Sequence, residues 1–403
     1  MADALELQKG QGRLDWMPTD AELYAEKLAQ AQGLLGEGDL WLIATRENLE
    51  HPEPALALVS GAHLTWATFF LVTKNTATAV AGRFDAPSLG PEWRVLSYDE
   101  DFRETLQQEV AAVSPKRILL DYSQDNPMLD GLSHGMYLKL CEALSDGEFQ
   151  SAAETLSVLR SVKTPTEQAR IKAAVDLAEA HLKEVAELIK PGWSELQAAE
   201  YVHQKLRDEG LEPAWGWTGC PNFSFARMPS HAGATDKKLE PGMLVHADYG
   251  VKLKGYCSDI QRIYYWPKAG EGVPEELARA FSVVRAAIDT AAGALKPGMK
   301  GYEVDAAARS IITDAGYPEY KYATGHNLGR ATHDGGTLLG PRWPRYDRDP
   351  YGTVQEGEVY TLELGVMLEG IGYVGLEEDV VVRSGGVEWL SERQEEIYLL
   401  GPA

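Results

Sequence analysis

Cysteine is nearly missing from this chain: Cys141, Cys220 and Cys257 are the three it has in 403 residues. Odd in number and far apart, they form neither a disulfide framework nor a CxxC metal knuckle, and such usage fits a reducing, cytoplasmic setting. Basic residues are scarce as well. Lys and Arg number 38 against 61 Asp and Glu, a formal charge of −23, and a field of that sign repels phosphate backbones and anionic lipid. Neither nucleic acid nor a membrane surface is an expected partner. Long apolar runs are also lacking, and the opening MADALELQKGQGRLDW has no basic flank followed by an apolar stretch, so no export or anchoring signal is expected. What remains is an ordinary folding composition, 44% hydrophobic and 25% charged, in a length that suits two or three domains with real cores.

From Leu40 to Tyr122 short β-type runs alternate with polar or helical stretches: LWLIAT, ATFFLVT, TATAVA and RILLDY are rich in branched and aromatic residues. They predict an α/β domain, with Lys74-Asn75 as the turn of a hairpin. The break falls near Arg160 to Thr164, giving domains at residues 1–158 and 159–403. Thr164-Pro165-Thr166-Glu167 supplies an N-cap hydroxyl, a proline at the first helical position and a reciprocal glutamate, so a long helix starts there. Its apolar stripe runs from Ile171 through Val175, Ala178, Leu182 and Val185 to Ile189, and Pro191-Gly192 stops it. Ser194 caps a second helix that ends at Gly210.

The second domain repeats itself. Lys190-Pro191-Gly192 precedes Gly210 by the interval that separates Lys296-Pro297-Gly298 from Gly316. Farther on, Gly242-MLVHA-Asp248-Tyr-Gly250-VKLK-Gly255 matches Gly357-EVYTL-Glu363-Leu-Gly365-VMLE-Gly370 in its glycines, its acid and its Val-x-Leu. Two related half-units, hence a pseudo-two-fold domain, follow from this. Each copy places an acid in an apolar, β-leaning run. Carboxylates are seldom buried unless paired or bound to a cation, because stripping their water costs more than a sheet interior returns.

Five residues then carry the chemistry. Asp248 closes one strand and Asp259 follows a turn at Lys252 to Gly255; His326 lies in TGHNLG; Glu363 is the repeat mate of Asp248; and Glu378 lies in GLEEDVVV beyond the second turn. Four carboxylates bring about −4, which two divalent ions cancel, and oxygen-rich sites with one histidine suit such ions. Two ions about 3.5–4 Å apart ionise a bridging water near neutral pH and polarise a carbonyl, which is what amide hydrolysis requires. The competing reading makes each acid a capped or solvated surface group.

The stretches HADYG…YCSDIQR, TGHNLGRATHDG, TLELGV and GLEEDVVV resemble the five-ligand pattern of the pita-bread metallopeptidases, which include methionine aminopeptidase, aminopeptidase P and prolidase. The likeness runs over nearly the whole chain. It implies a creatinase-like N-terminal α/β domain followed by an α+β pita-bread catalytic domain. Residue by residue it implies that Asp248 binds one metal, that Asp259 and Glu378 bridge two, and that His326 and Glu363 complete the second, with Glu363 also moving the proton. His231, in PSHAGATD, and His333 match the histidines that hold substrate and stabilise the oxyanion. Glu377 competes with Glu378. Adjacent strand residues face opposite sides, so one of the two faces the ions, and the Glu-Asp pair of the family motif selects Glu378. The chain departs from the pattern at Asn327, Asp334, Leu364 and Leu376, none of them a ligand. His246 shares a strand face with Asp248, where it either orients a ligand or simply packs.

The expected activity is that of a cytoplasmic Xaa-Pro dipeptidase using a hydroxide held by two ions, manganese, cobalt or zinc, on short proline-containing peptides. The alternatives are an Xaa-Pro aminopeptidase, a metal-free creatinase-like hydrolase and a binding module without catalysis. The proline preference and a homodimer come from the resemblance. Arginine forks bind carboxylates, so Arg342, Arg345, Arg348 or Arg46 is expected to anchor the substrate's free carboxylate; a solvated or subunit-contact loop explains them equally well.

Overall fold

All four β-type runs of the N-terminal region become strands in the computed structural model, which describes residues 19–48, 50–145, 147–229 and 233–401. They are β1 (Asp39–Thr45), β2 (Thr68–Val72), β3 (Ala77–Gly82) and, after β4 (Arg94–Tyr98), β5 (Arg117–Leu120), with β6 (Phe149–Ser151) beyond. The six form one mixed sheet in the order β4-β3-β2-β1-β5-β6. The expected hairpin is there: β2 pairs antiparallel with β3, and the Thr73 N–H donates to the Thr76 carbonyl around Lys74-Asn75. Every residue of β1 and β2 is buried, because helices and loops cover both faces, as the near-continuous apolar runs imply. The chain divides into two compact units between Arg160 and Ser161.

In the second unit, Thr164 closes the predicted capping box at the start of the Pro165–Leu188 helix, and Ser194 closes another at the start of Glu195–Glu209, which ends on Gly210 in the left-handed region. The strands are β7 (Glu212–Pro213), β8 (Asn222–Phe225), β9 (Leu244–Tyr249), β10 (Val251–Leu253), β11 (Tyr256–Cys257), β12 (Ile260–Tyr265), β13 (Val359–Leu368), β14 (Gly372–Arg383), β15 (Gly386–Trp389) and β16 (Tyr398–Leu399). The main sheet runs β13-β14-β12-β9-β8, with β15 on β14 and β16 on β12; β11-β10-β7 form a small separate sheet. The repeat is visible in the backbone, since Gly242 and its mate Gly357 have φ of 91° and 87°, and Gly192 and Gly298 both have 92°.

Alternation along the strands makes the sheet two-faced. Val245, Ala247 and Tyr249 of β9 pack with Ala178, Leu182 and Val185 from the first half's helices. Tyr360, Leu362 and Leu364 of β13 pack with Val284, Ile288 and Val304 from the helices Glu275–Ala294 and Gly301–Asp314. Burying each of the Val, Leu and Ile side chains among them is worth about 1.5–3 kcal/mol. The intervening residues, among them His246, Asp248, Thr361 and Glu363, therefore face the other way.

Candidate metal centre

Register builds the site. Across four neighbouring strands the directly opposed residues are Glu363 with Glu377, Glu377 with Gln261, and Gln261 with Asp248, so one row of polar side chains crosses the sheet on the face away from the helices. Asp259, two residues before Gln261, lies on that same face. His326 arrives from a segment that runs alongside β13: Thr361 donates its N–H to the His326 carbonyl at 3.0 Å and Glu363 donates to the Thr324 carbonyl at 2.7 Å. The approach is close enough that a Cβ on Gly325 would stand 2.0 Å from the Thr361 carbonyl oxygen, which is why the residue before His326 is glycine.

The result is a buried acid cluster around one imidazole. Nε2 of His326 is 3.8 Å from Oδ2 of Asp259 and 3.9 Å from Oε1 of both Glu363 and Glu377. One donor atom each from Asp259, His326 and Glu377 lies within 4.8 Å of the others. These separations are too long for hydrogen bonds. They match atoms that share an ion at about 2.0–2.2 Å each, which puts them roughly 3–4.4 Å apart. Oδ1 of Asp259 and Oε1 of Glu377 are buried without a hydrogen-bond partner. Such atoms are costly unless a cation meets them.

Electrostatics says the same. Burial, then the charge of Asp248, lifts Glu363 to about 8; burial alone lifts Asp248 to about 7. Asp259 and Glu377 are pushed well above the carboxylate range by burial and by each other's neighbours in the row. Burial lowers His326 to about 3, so its ring is neutral and Nε2 is available as a ligand. The residues present fit a divalent-ion site: oxygen-rich, one imidazole, mutually repelling without a cation.

One expected residue is elsewhere. Glu378 faces the helix side of the sheet, where it accepts from Arg285 at 2.9 Å, the Ser391 hydroxyl at 2.6 Å and the Gln394 N–H at 3.0 Å, and pairs with Arg262 at 3.1 Å. Glu377 takes the inward place. The reason is register: β13 and β14 turn about Gly370, and Glu363 and Glu377 each lie seven residues from it while Glu378 lies eight away. Counting outward from the turn glycine, which the repeat had already located, was the signal in the sequence. Two residues before Glu377 stands Gly375, where a Cβ would come within 2.8 Å of Oε1 of Gln261.

Of the other expected residues, His333 is exposed with its ring 4.3 Å from that of His326, beside the cluster. His231 lies outside the described residues. Arg342 is exposed and stacks over Tyr302 at 4.8 Å; Arg345, also exposed, stacks over Trp343 and Tyr346 and donates to the Lys321 carbonyl; Arg348 is exposed farther along the same loop. The structure joins none of the three to the acid cluster. Arg46 is exposed just past β1 in the first unit. Asn327, next to His326, accepts from the buried Lys163 amine at 2.8 Å, and Lys163 also pairs with Asp334 at 3.2 Å, so two departures from the family pattern meet one buried cation. Sequence reasoning missed Gln261, which lies in the quoted YCSDIQR stretch but, as a neutral amide, was given no role.

Among the described residues no helix is long and apolar enough to cross a membrane. The peptidase YqhT of Bacillus subtilis is 27% identical over 382 residues, 93% of this chain and 99% of that one. An Xaa-Pro dipeptidase of Pyrococcus furiosus is 30% identical over 268 residues, 66% of this chain and 73% of that one. The X-Pro aminopeptidase of Thermotoga maritima superposes with a TM-score of 0.72 over 92% of this chain and 100% of that one, at 24% identity, which establishes the shared pita-bread fold. The description "Metallopeptidase family M24" matches residues 169–384, more than half the chain. Since that span holds the acids and the histidine gathered above, the chain belongs to metallopeptidase family M24, enzymes whose chemistry depends on divalent metal ions.

Proposed function

We propose that the protein is a two-metal exopeptidase that cleaves Xaa-Pro bonds, with dipeptides preferred over longer peptides. The observation that carries the reading is the convergence of three carboxylates on Nε2 of His326 at 3.8–3.9 Å, with a fourth acid, Asp248, in the same row. Asp248, Asp259, His326, Glu363 and Glu377 would hold the ions. Divalent ions bound there supply acidity to a water and polarise the scissile carbonyl. The chain's own residues do the rest. Glu363, with a fifth of its side chain accessible and its carboxyl raised, accepts the proton of the attacking water and returns it to the departing imino nitrogen. His333, and His231 as its counterpart, donate to the oxygen on which charge develops.

The dipeptide preference draws on the Pyrococcus furiosus relative and on the arginine-rich loop, where Arg342, Arg345 and Arg348 are candidates for the substrate carboxylate, with Arg46 as a fourth. The test is an assay of Xaa-Pro against Xaa-Pro-Yaa peptides after chelation and re-addition of Mn²⁺, Co²⁺ or Zn²⁺, with metal content measured in parallel. Two ions per subunit and faster turnover of the dipeptide are expected. Turnover insensitive to the chelator, or none on any Xaa-Pro peptide with ions bound, sinks the reading. Alanine at the anchoring arginine should harm dipeptides far more than tripeptides. A homodimer in the cytoplasm completes the proposal, and sedimentation tests the dimer.

A further inference from the structure

Gln261 stands at the middle of the acidic row, opposite Asp248 on one side and Glu377 on the other. The pseudo-two-fold gives the position meaning. Glu377 faces Glu363 across its hairpin as Gln261 faces Asp248 across the first, so Gln261 is the repeat mate of Glu377, an amide where the other copy has a carboxylate. Its Nε2 is 3.0 Å from Oε2 of Glu377 and 3.3 Å from Oε2 of Glu363. Its Oε1 is 2.8 Å from Nε2 of His246.

With Glu363 and Glu377 ionised, as ligands to a cation are, one assignment of protons suits these contacts. Carboxylate oxygens accept, so the NH₂ end of the amide faces them and its oxygen faces His246, which must then donate from Nε2. His246 is 1% exposed and its ring packs edge-on to Tyr373 at 5.2 Å, which fixes it. Space for the amide is provided by Gly375, whose missing Cβ would crowd Oε1 of Gln261. Each acid thus has one oxygen engaged by the amide and the other, Oε1, directed to within 3.9 Å of His326.

We propose that Gln261, oriented by His246, is a positioning residue of the metal centre, engaging one oxygen of Glu363 and one of Glu377 so that the remaining oxygen of each is presented beside His326. The inference rests on the two-metal reading above. It assigns Gln261 no contact with substrate. Outer-shell hydrogen bonds of this kind change metal affinity by about ten- to a hundredfold.

The test uses the full-length protein freed of metal by chelator and dialysis. Mn²⁺ is titrated calorimetrically into wild type, Gln261→Met, His246→Phe and His246→Gln, and the visible spectrum of each Co²⁺-loaded form is recorded. Gln261→Met should keep the metal-free melting temperature yet bind Mn²⁺ at least about tenfold more weakly, with a shifted Co²⁺ spectrum and a fall in kcat at nearly unchanged KM. His246→Phe should weaken binding less, and His246→Gln, which retains a donor toward Oε1, should recover most of the loss. A wild-type isotherm and spectrum for Gln261→Met overturns the proposal. If that variant does not fold, the two His246 variants decide: equal behaviour of Phe and Gln overturns it. A wild type that binds no Mn²⁺ fails the metal reading itself, a separate result.

Discussion

Two groups of buried carboxyls, one in each unit, obey the same electrostatics and come to different ends. In the N-terminal unit Glu53 and Asp121, 4% and 2% exposed, are neighbouring acids; Oε2 of Glu53 accepts from the Leu56 N–H at 2.8 Å and Oδ1 of Asp121 from the Trp41 indole at 2.6 Å. Burial and the neighbouring Asp121 raise Glu53 well above its ordinary range, and burial brings Asp121 to about 6. A single proton held by the pair is enough to relieve its repulsion. In the second unit Asp259, Glu363 and Glu377 surround an imidazole that is itself neutral, with Asp248 in the same row, and the spacing to the imidazole is an ion's rather than a proton's. High pKa values alone do not separate the two cases. Geometry does, through an imidazole donor and carboxylate oxygens left open toward one point.

The comparison breaks first on function. Glu377→Gln or His326→Ala should lower kcat/KM by about 10³-fold or more, since bound ions contribute several kcal/mol to such reactions, while Glu53→Gln should leave it unchanged. Steady-state assay on an Xaa-Pro dipeptide checks both, and near-wild-type activity in Glu377→Gln removes that residue from the centre. The adjacent glutamate sharpens the contrast. Glu378→Gln breaks a buried network with Arg262 and Arg285 and should cost about 3–5 kcal/mol of stability, yet keep the metal stoichiometry, which elemental analysis of the folded variant would read.

Metal should act on one cluster and not the other. At a hundred times its Kd, a divalent ion stabilises the native state by about 2.7 kcal/mol, or roughly 5–10 °C for a unit of this size. Hydrogen exchange should show that gain in β9, β12, β13 and β14 and leave β1 unaffected. Equal protection of β1 would mean that the Glu53 and Asp121 pair also takes up cations.

The two clusters were unequally legible in the sequence. The clustered acids stood out because the repeat set Asp248 and Glu363 at equivalent points, and because the capping sequences at Thr164 and Ser194 located the helices that bury the sheet's other face. The choice between Glu377 and Glu378 needed a pairing register, and a motif overruled a residue count that would have settled it. Gln261 was hidden because a neutral amide gives no charge signal; only its place opposite Asp248 marks it. The reach of Arg342, Arg345 and Arg348 depends on a loop whose path no periodicity encodes. Glu53 and Asp121 come from a loop and from just past β5, and nothing local pairs them.

The smallest effect concerns that pair and has a definite sign. A carboxyl whose folded pKa is raised holds its proton in the native state while the unfolded chain, near 4, has lost it, so the native state binds more protons and stability falls as pH rises through the window between the two values. For Asp121 that window runs from about 4 to about 6, and for Glu53 it opens upward from the ordinary glutamate value. Replacing Glu53 with Gln removes the proton that must be held. The variant should therefore be more stable than wild type at pH 8, and no more stable below about pH 4. Exchange of the β1 amides, measured at both pH values in the full-length protein, reads this directly. A gain of equal size at both would assign it to packing instead of the proton, and the likeness between the two acid clusters would then end at burial.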